Sequence, residues 1–305
     1  DIKAKNMLKF LLLILAFSTL FIFFAFKSKS KMDAFTNDIL KRKWENPEKI
    51  KSLVEEVISV DNPKNINILS KFGGKPNLPK NISWPEYEKK PMVFLAQINL
   101  KEVSEFDSNK ILPQNGILFF FAFFKTPESE FGAEYSFSFK KEEFKVLYFD
   151  GNLNEIYEVE FPKSLPKEYW FKEQKIGFDL NYQIPPTTET WKVNSKKLST
   201  KDLQEYNNYL LADENRYEET ILGTPYPIQY GVDYDWALNY LGTQEENDEN
   251  KKKIELLRPE FINLLSFTML GKFDKIGISN CYFGIRKEDL INKRFENVVF
   301  ILQDT

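Results

Sequence analysis

At 305 residues and 42 % hydrophobic content the chain can bury one large core or two small ones, and its 29 Phe and 14 Tyr suit pleated sheet surfaces. Without histidine and with the single cysteine Cys281, it lacks Ser/His and Cys/His nucleophilic pairs, histidine metal sites, cysteine zinc cages and an internal disulfide; no metal and no cofactor is expected. Net charge is -3, and residues 1–31 hold six lysines against Asp1, so the remainder carries about -8 and offers no basic face for nucleic acid.

Residues 1–9 form an N-terminal tail. Residues 10–26 read FLLLILAFSTLFIFFAF, with Ser18 and Thr19 as their polar members. As a helix this run spans about 26 Å, and with Leu8 and a snorkelling Lys9 it just crosses a bilayer as a single transmembrane anchor. The alternative is a secretion signal cut near Ala16-Phe17-Ser18, which would leave a secreted domain beginning with a long apolar stretch. No cysteine follows the run, which excludes a lipoprotein anchor. Lys27, Lys29, Lys31, Lys41, Arg42 and Lys43 after it outnumber Lys3, Lys5 and Lys9 before it, so the soluble domain is expected on the cytoplasmic side. Met7 offers an alternative start of translation, which would strengthen that bias.

Residues 27–62 read as a helical juxtamembrane segment. Asn46-Pro47 opens a helix whose Ile50, Leu53, Val54, Val57 and Ile58 make one stripe, ending before Asp61. Residues 63–305 read as one β-rich domain. Ile66-Asn67-Ile68 is strand-like and leads into a loop punctuated by Gly73, Gly74, Pro76, Pro79, Pro85 and Pro91. Met92–Leu100 alternates, with Phe94, Ala96, Ile98 and Leu100 on one face and Gln97 and Asn99 on the other. After a turn at Pro113–Gly116, the wholly apolar Ile117–Phe124 suits a central strand. Tyr135, Phe137 and Phe139 alternate with serines, and Asp150-Gly151 separates Phe144–Phe149 from Glu155–Phe161 in the manner of a hairpin. Phe178, Leu180, Tyr182 and Ile184 repeat the period of two. Ser199 and Asp202 cap a helix to about Tyr217 with Leu203, Tyr206 and Leu210 on one face, and Gln244–Lys253 reads as a solvated charged loop. Strands at Phe261–Met269, Cys281–Ile285 and Asn297–Leu302 close the chain, with a short helix at Lys287–Arg294. The expected fold class is mainly β with flanking helices (α+β), built from twisted antiparallel sheets and preceded by the transmembrane helix.

Ser70-Lys71-Phe72-Gly73-Gly74-Lys75-Pro76-Asn77-Leu78-Pro79, Trp84-Pro85 and Phe94-Leu95-Ala96-Gln97-Ile98-Asn99 together resemble the YwqG-like family of bacterial proteins of unknown function. Pro113–Phe120, Gly223–Gln229, Tyr282-Phe283 with Ile285, Asp289-Leu290 and Phe295 with Val298 extend the resemblance over Asn65–Thr305. It implies a mostly β, roll-like fold and no activity. Where relatives usually show Leu-Gln-Ile-Asp before a Trp-Gly-Asp turn, this chain has Leu264-Leu265-Ser266-Phe267 and Asp274-Lys275-Ile276-Gly277.

Gly73-Gly74 lacks the spacing of a phosphate-cradling loop, and its glycines are expected to serve backbone geometry. Gln97, Asn99 and Gln229 sit beside buried strands, where an amide must find partners: they either tie loops down or, with Trp84 at a core edge, line a ligand pocket. Glu130, Asp233, Asp235 and Asp274 are candidate acid/base groups, yet nothing in the sequence makes two of them converge, and no catalytic residue is assigned. Cys281, between apolar neighbours, reads as a buried inert thiol. The expected function is a non-catalytic domain at the inner membrane face that binds a protein, in the way an immunity protein would, or a small ligand. The rival is a carboxylate-dependent hydrolase, which needs two acidic side chains about 5–10 Å apart in a cleft.

Overall fold

A computed structural model describes residues 28–64, 67–124, 139–212, 217–229, 231–242, 247–269, 271–272 and 280–303. In chain order, α1 occupies residues 28–39 and α2 Pro47–Lys51. Strands β1 (Glu55–Asp61), β2 (Lys71–Phe72), β3 (Asn77–Pro79), β4 (Glu86–Tyr87), β5 (Lys90–Pro91) and β6 (Val93–Asn99) follow, then α3 (Leu100–Val103). Next come β7 (Ile117–Ala122), β8 (Phe144–Phe149), β9 (Ile156–Glu158), β10 (Gln174–Lys175) and β11 (Gly177–Gln183). The last third holds α4 (Trp191–Lys196), α5 (Thr200–Ala212), β12 (Thr220–Ile221), α6 (Val232–Leu241), α7 (Asp248–Leu257), β13 (Phe261–Thr268), β14 (Asn280–Arg286), α8 (Lys287–Ile291) and β15 (Val299–Gln303).

β-branched and aromatic side chains give the interior strands such as β7 and β14 two apolar faces and strands such as β8 and β11 one, and two sheets bury them. The first sheet runs β11-β1-β12-β13-β14-β15 and the second β10-β2-β6-β7-β8, antiparallel throughout. Their inner faces meet in an aromatic core: Phe120 packs edge-on against Phe283 at 4.9 Å, and Phe283 stacks on Phe300 at 4.2 Å. The outer face of the second sheet is closed by the β3–β9 ribbon and Trp84. On the first sheet, α6 and α7 cover Tyr282 and Ile301, while Ile39, Ile50, Val193 and Tyr206 close the β11 end around Ile184. The fold is thus mainly antiparallel sheet with flanking helices. Among the described residues no helix is long and apolar enough to cross a membrane. The run 10–26 lies outside them, as do Tyr135 and Phe137.

Several local expectations are corrected. The helix opened by Pro47 stops at Lys51, and Glu55–Asp61 is a strand between β11 and β12. Val54, Val57 and Ile58 fit a helical stripe equally well, but a strand buried on both faces also needs consecutive apolar residues, and β-branched Val57 and Ile58 prefer it. The sheet therefore recruits residues ahead of the expected boundary at 63. In β6, Phe94 leaves the face shared by Ala96 and Ile98: a β-bulge at Leu95 puts Leu95 and Ala96 on the inner core and Phe94 on the outer one. The face of Gln97 is buried too. Asp150-Gly151 does not close a hairpin, because β8 pairs with β7 whereas β9 crosses to β3. The expected strand at 66–68 is displaced to Lys71–Phe72, with Ile66 outside the described residues. α5 is described over Thr200–Ala212, the residues after it up to 216 lying outside the described ones, and it buries Asp202 where Leu203 was expected. The charged loop at 244–253 is helical from Asp248: Asn247 caps it by accepting from Asn250 N, and Ile254 anchors it in the core.

A groove round the start of strand one

β12 leaves the first sheet through Leu222 and Gly223, both at positive φ (60° and 64°). A Cβ on Gly223 would lie 2.9 Å from Val57 Cβ and 3.0 Å from Glu56 O, so glycine alone lets this strap press against β1. Thr224 then donates its backbone N–H to Glu55 Oε1 at 2.7 Å. Glu55 also accepts from Gln183 Nε2 at 3.0 Å and is ion-paired with Lys192 of α4. One residue on, Glu56 points to the other side of the strand. It accepts from Ser108 Oγ (2.6 Å), Asn109 Nδ2 (2.9 Å) and Tyr182 Oη (3.4 Å).

Round this strand end runs a groove of about 540 Å³, with Leu222, Pro225, Trp236, Phe261 and Ile262 giving it an apolar lining. Asp233 stands on its wall, accepting from Arg258 Nε at 3.1 Å and from Trp191 N at 2.8 Å. Burial works against the Arg258 charge, but Asp233 and Glu255 outweigh it and raise the guanidinium above its ordinary value. Asn263, also on the wall, is buried and leaves Oδ1 without a partner among the described residues, at a cost of about 1–3 kcal/mol. A second cavity of about 690 Å³ lies between α1, α5 and β11, and Tyr182 lines both.

Of the residues singled out from sequence Asp233 lines the groove, whereas the ligand-pocket candidates Gln97, Asn99, Gln229 and Trp84 line neither cavity. Gln97 is fully buried: its Oε1 accepts from Asn77 N at 2.8 Å and its Nε2 donates to Leu69 O at 2.9 Å, which holds the glycine loop to β6. Asn99 caps α3 by accepting from Lys101 N, and donates to Glu102 Oε1 at 3.0 Å. Trp84 donates to Met92 O at 2.8 Å and packs on Phe121. Gln229 lies beyond the strap, where its N–H donates to Gln303 Oε1 at 3.2 Å. Gly73 and Gly74, at φ 56° and 70°, let the loop pass against Lys172 and Glu173.

Among the carboxylates, Asp233 and Asp235 share α6 without sharing a task. Asp235 accepts from Gln303 Nε2 at 2.8 Å, and burial pushes its carboxyl up to about 6 against that bond. Glu130 and Asp274 lie outside the described residues. Cys281 is fully buried, and burial raises its thiol well above the ordinary range, so it is not a nucleophile. Among the described residues no cluster of three His, Cys, Asp or Glu could hold a metal ion.

A family model described as a domain of unknown function, DUF1963, matches residues 70–303. The chain belongs to that family. Comparison with curated proteins gives no match. The DUF1963 span takes in the strap, α4, α6 and Gln303, whereas β1 with Glu55 and Glu56 precedes it. The groove is therefore DUF1963 structure completed by a strand from outside the matched span. Sequence reasoning missed Glu55, Lys192 and Gln303. The signal within reach was the Gly223-Thr224-Pro225 stretch, which marks the strap they hold.

Proposed function

We propose that the chain is a membrane-anchored, non-catalytic binding domain, YwqG-like within DUF1963, whose groove at the start of β1 takes a protein segment or a small ligand. One observation carries this reading: the groove's carboxylates, Glu55, Glu56 and Asp233, are each engaged by donors of the chain itself, while Leu222, Pro225, Trp236, Phe261 and Ile262 give the groove an apolar floor. A hydrolytic pair needs one acid and one base free to exchange protons with a substrate, whereas committed charges round an apolar floor suit recognition. The anchor is residues 10–26, and the lysine-rich flank after it supports a cytoplasmic domain. In topology labelling, a Cys replacing the exposed Ser30 should react from the cytoplasmic side; reaction from outside alone would reverse the orientation.

The binding reading is tested with a photo-crosslinking residue at Thr224 in native membranes. A discrete adduct is expected, and Ile262→Trp, which fills the groove, should remove it. No adduct, or one unaffected by Ile262→Trp, would overturn the groove as the binding site. A hydrolytic turnover abolished by Asp233→Asn in a folded protein would replace binding with catalysis.

A further inference from the structure

We propose that the face of the domain round the start of α1 lies directly on the surface of the bilayer, so that the groove opens at the membrane. The proposal rests on the reading of residues 10–26 as a membrane anchor. Between Phe26, the last residue of the apolar run, and Ser28, the first described residue of α1, stands Lys27 alone, and two residues of chain reach at most about 7 Å. Ser28 is fixed in turn: its Oγ shares a 2.6 Å hydrogen bond with Tyr182 Oη. Lys31 locks the same helix to the outer edge of the first sheet through Asp179 (3.0 Å) and the Leu180 carbonyl (2.9 Å). The end of the apolar run therefore lies no more than about 7 Å from Ser28, which is held at the sheet edge.

From Tyr182 the hydrogen bonds pass to Glu56 and on to Ser108 and Asn109, which brings the loop bearing Ile111 to this end of the molecule. Met32 and Ile111, 38 % and 40 % exposed, both line the groove, and Lys29 stands exposed on the same helix. Exposed apolar side chains accompanied by lysine settle into the headgroup layer of an anionic bilayer, where the apolar groups leave water and the ammonium meets phosphate.

The test uses the full chain reconstituted in phosphatidylglycerol–phosphatidylethanolamine vesicles carrying nitroxide lipids. Single variants Met32→Cys, Ile111→Cys and Leu153→Cys receive an environment-sensitive fluorophore; buried Cys281 should take no label in the folded protein. Leu153 is exposed beside the β3–β9 ribbon on the outer face of the second sheet. Blue-shifted emission lost to nitroxide quenching at positions 32 and 111, but not at 153, is the expected result. Unquenched emission at 32 and 111 from protein that still floats with the vesicles would overturn the docked face and leave the anchor standing. Protein that fails to float would overturn both.

Discussion

Asp202 and Asp235 carry the same side chain, and their surroundings move their titration in opposite directions. Burial works against the charge of Asp202, yet donors from Glu45 N (2.7 Å), Asn46 N (3.1 Å) and Asn46 Nδ2 (2.8 Å) outweigh it and hold the carboxyl below its ordinary range. Its stabilising contribution is present above the unfolded value near 3.8 and disappears as pH falls through the lowered folded one. Asp202→Ala should cost about 3 kcal/mol at pH 7, read as a lower denaturant midpoint, because buried donors lose a charged acceptor. At Asp235, burial wins, and the proton leaves the folded state near 6 but the unfolded state near 3.8. Stability from this group therefore falls as pH rises between those values and stays lower above them. Asp235→Asn keeps an acceptor for Gln303 and should stabilise the chain by about 1–2 kcal/mol at pH 7 while flattening its pH profile between 4 and 6. Unchanged denaturation curves at pH 7 would refute that assignment.

At the scale of elements, the strap and β1 define each other. Gly223 and Gly242 have nearly the same φ, 64° and 63°, but a Cβ at 242 meets nothing within 4 Å, while one at 223 collides with β1. Gly242→Ala should cost only the left-handed backbone penalty, about 1 kcal/mol, and Gly223→Ala clearly more, about 2–3 kcal/mol. Equal melting shifts for the two would mean that the strap does not bear on the strand. The same pairing explains why β1 escaped the sequence reading. Its hydrophobic spacing satisfies both periods, and the choice is made by β11 and β12, whose partners lie more than a hundred residues away. By contrast β7, β11 and β14 announce themselves, since the near-unbroken apolarity of β7 and β14 records two buried faces and the alternation of β11 one.

For the whole molecule, the decisive contact is aromatic packing between sheets. Phe283 touches Phe120 across the core and Phe300 within its own sheet, so Phe283→Ala should lower stability by about 3–5 kcal/mol in one transition. Trp84 on the second sheet and Trp236 beside the first make this measurable: tryptophan emission and far-UV circular dichroism should move together. Separate transitions would show that the sheets are independent.

The sequence by itself determined the β-rich class, an interior strand within Ile117–Phe124, of which Ile117–Ala122 forms β7, the buried Cys281 and the absence of histidine chemistry, because composition and strand period depend only on local residues. It placed Gln97, Asn99 and Trp84 beside the core but could not tell a loop tie from a ligand contact. That difference lies in the donors and acceptors at Leu69, Asn77, Glu102 and Met92. Tertiary structure alone decided the groove. Its walls include Val54–Glu56, Thr190–Lys192, Leu222–Pro225 and residues of 259–263, with Asp233 and Trp236 from α6, stretches whose side chains acquire a common task only when the first sheet brings β1, β12 and β13 together.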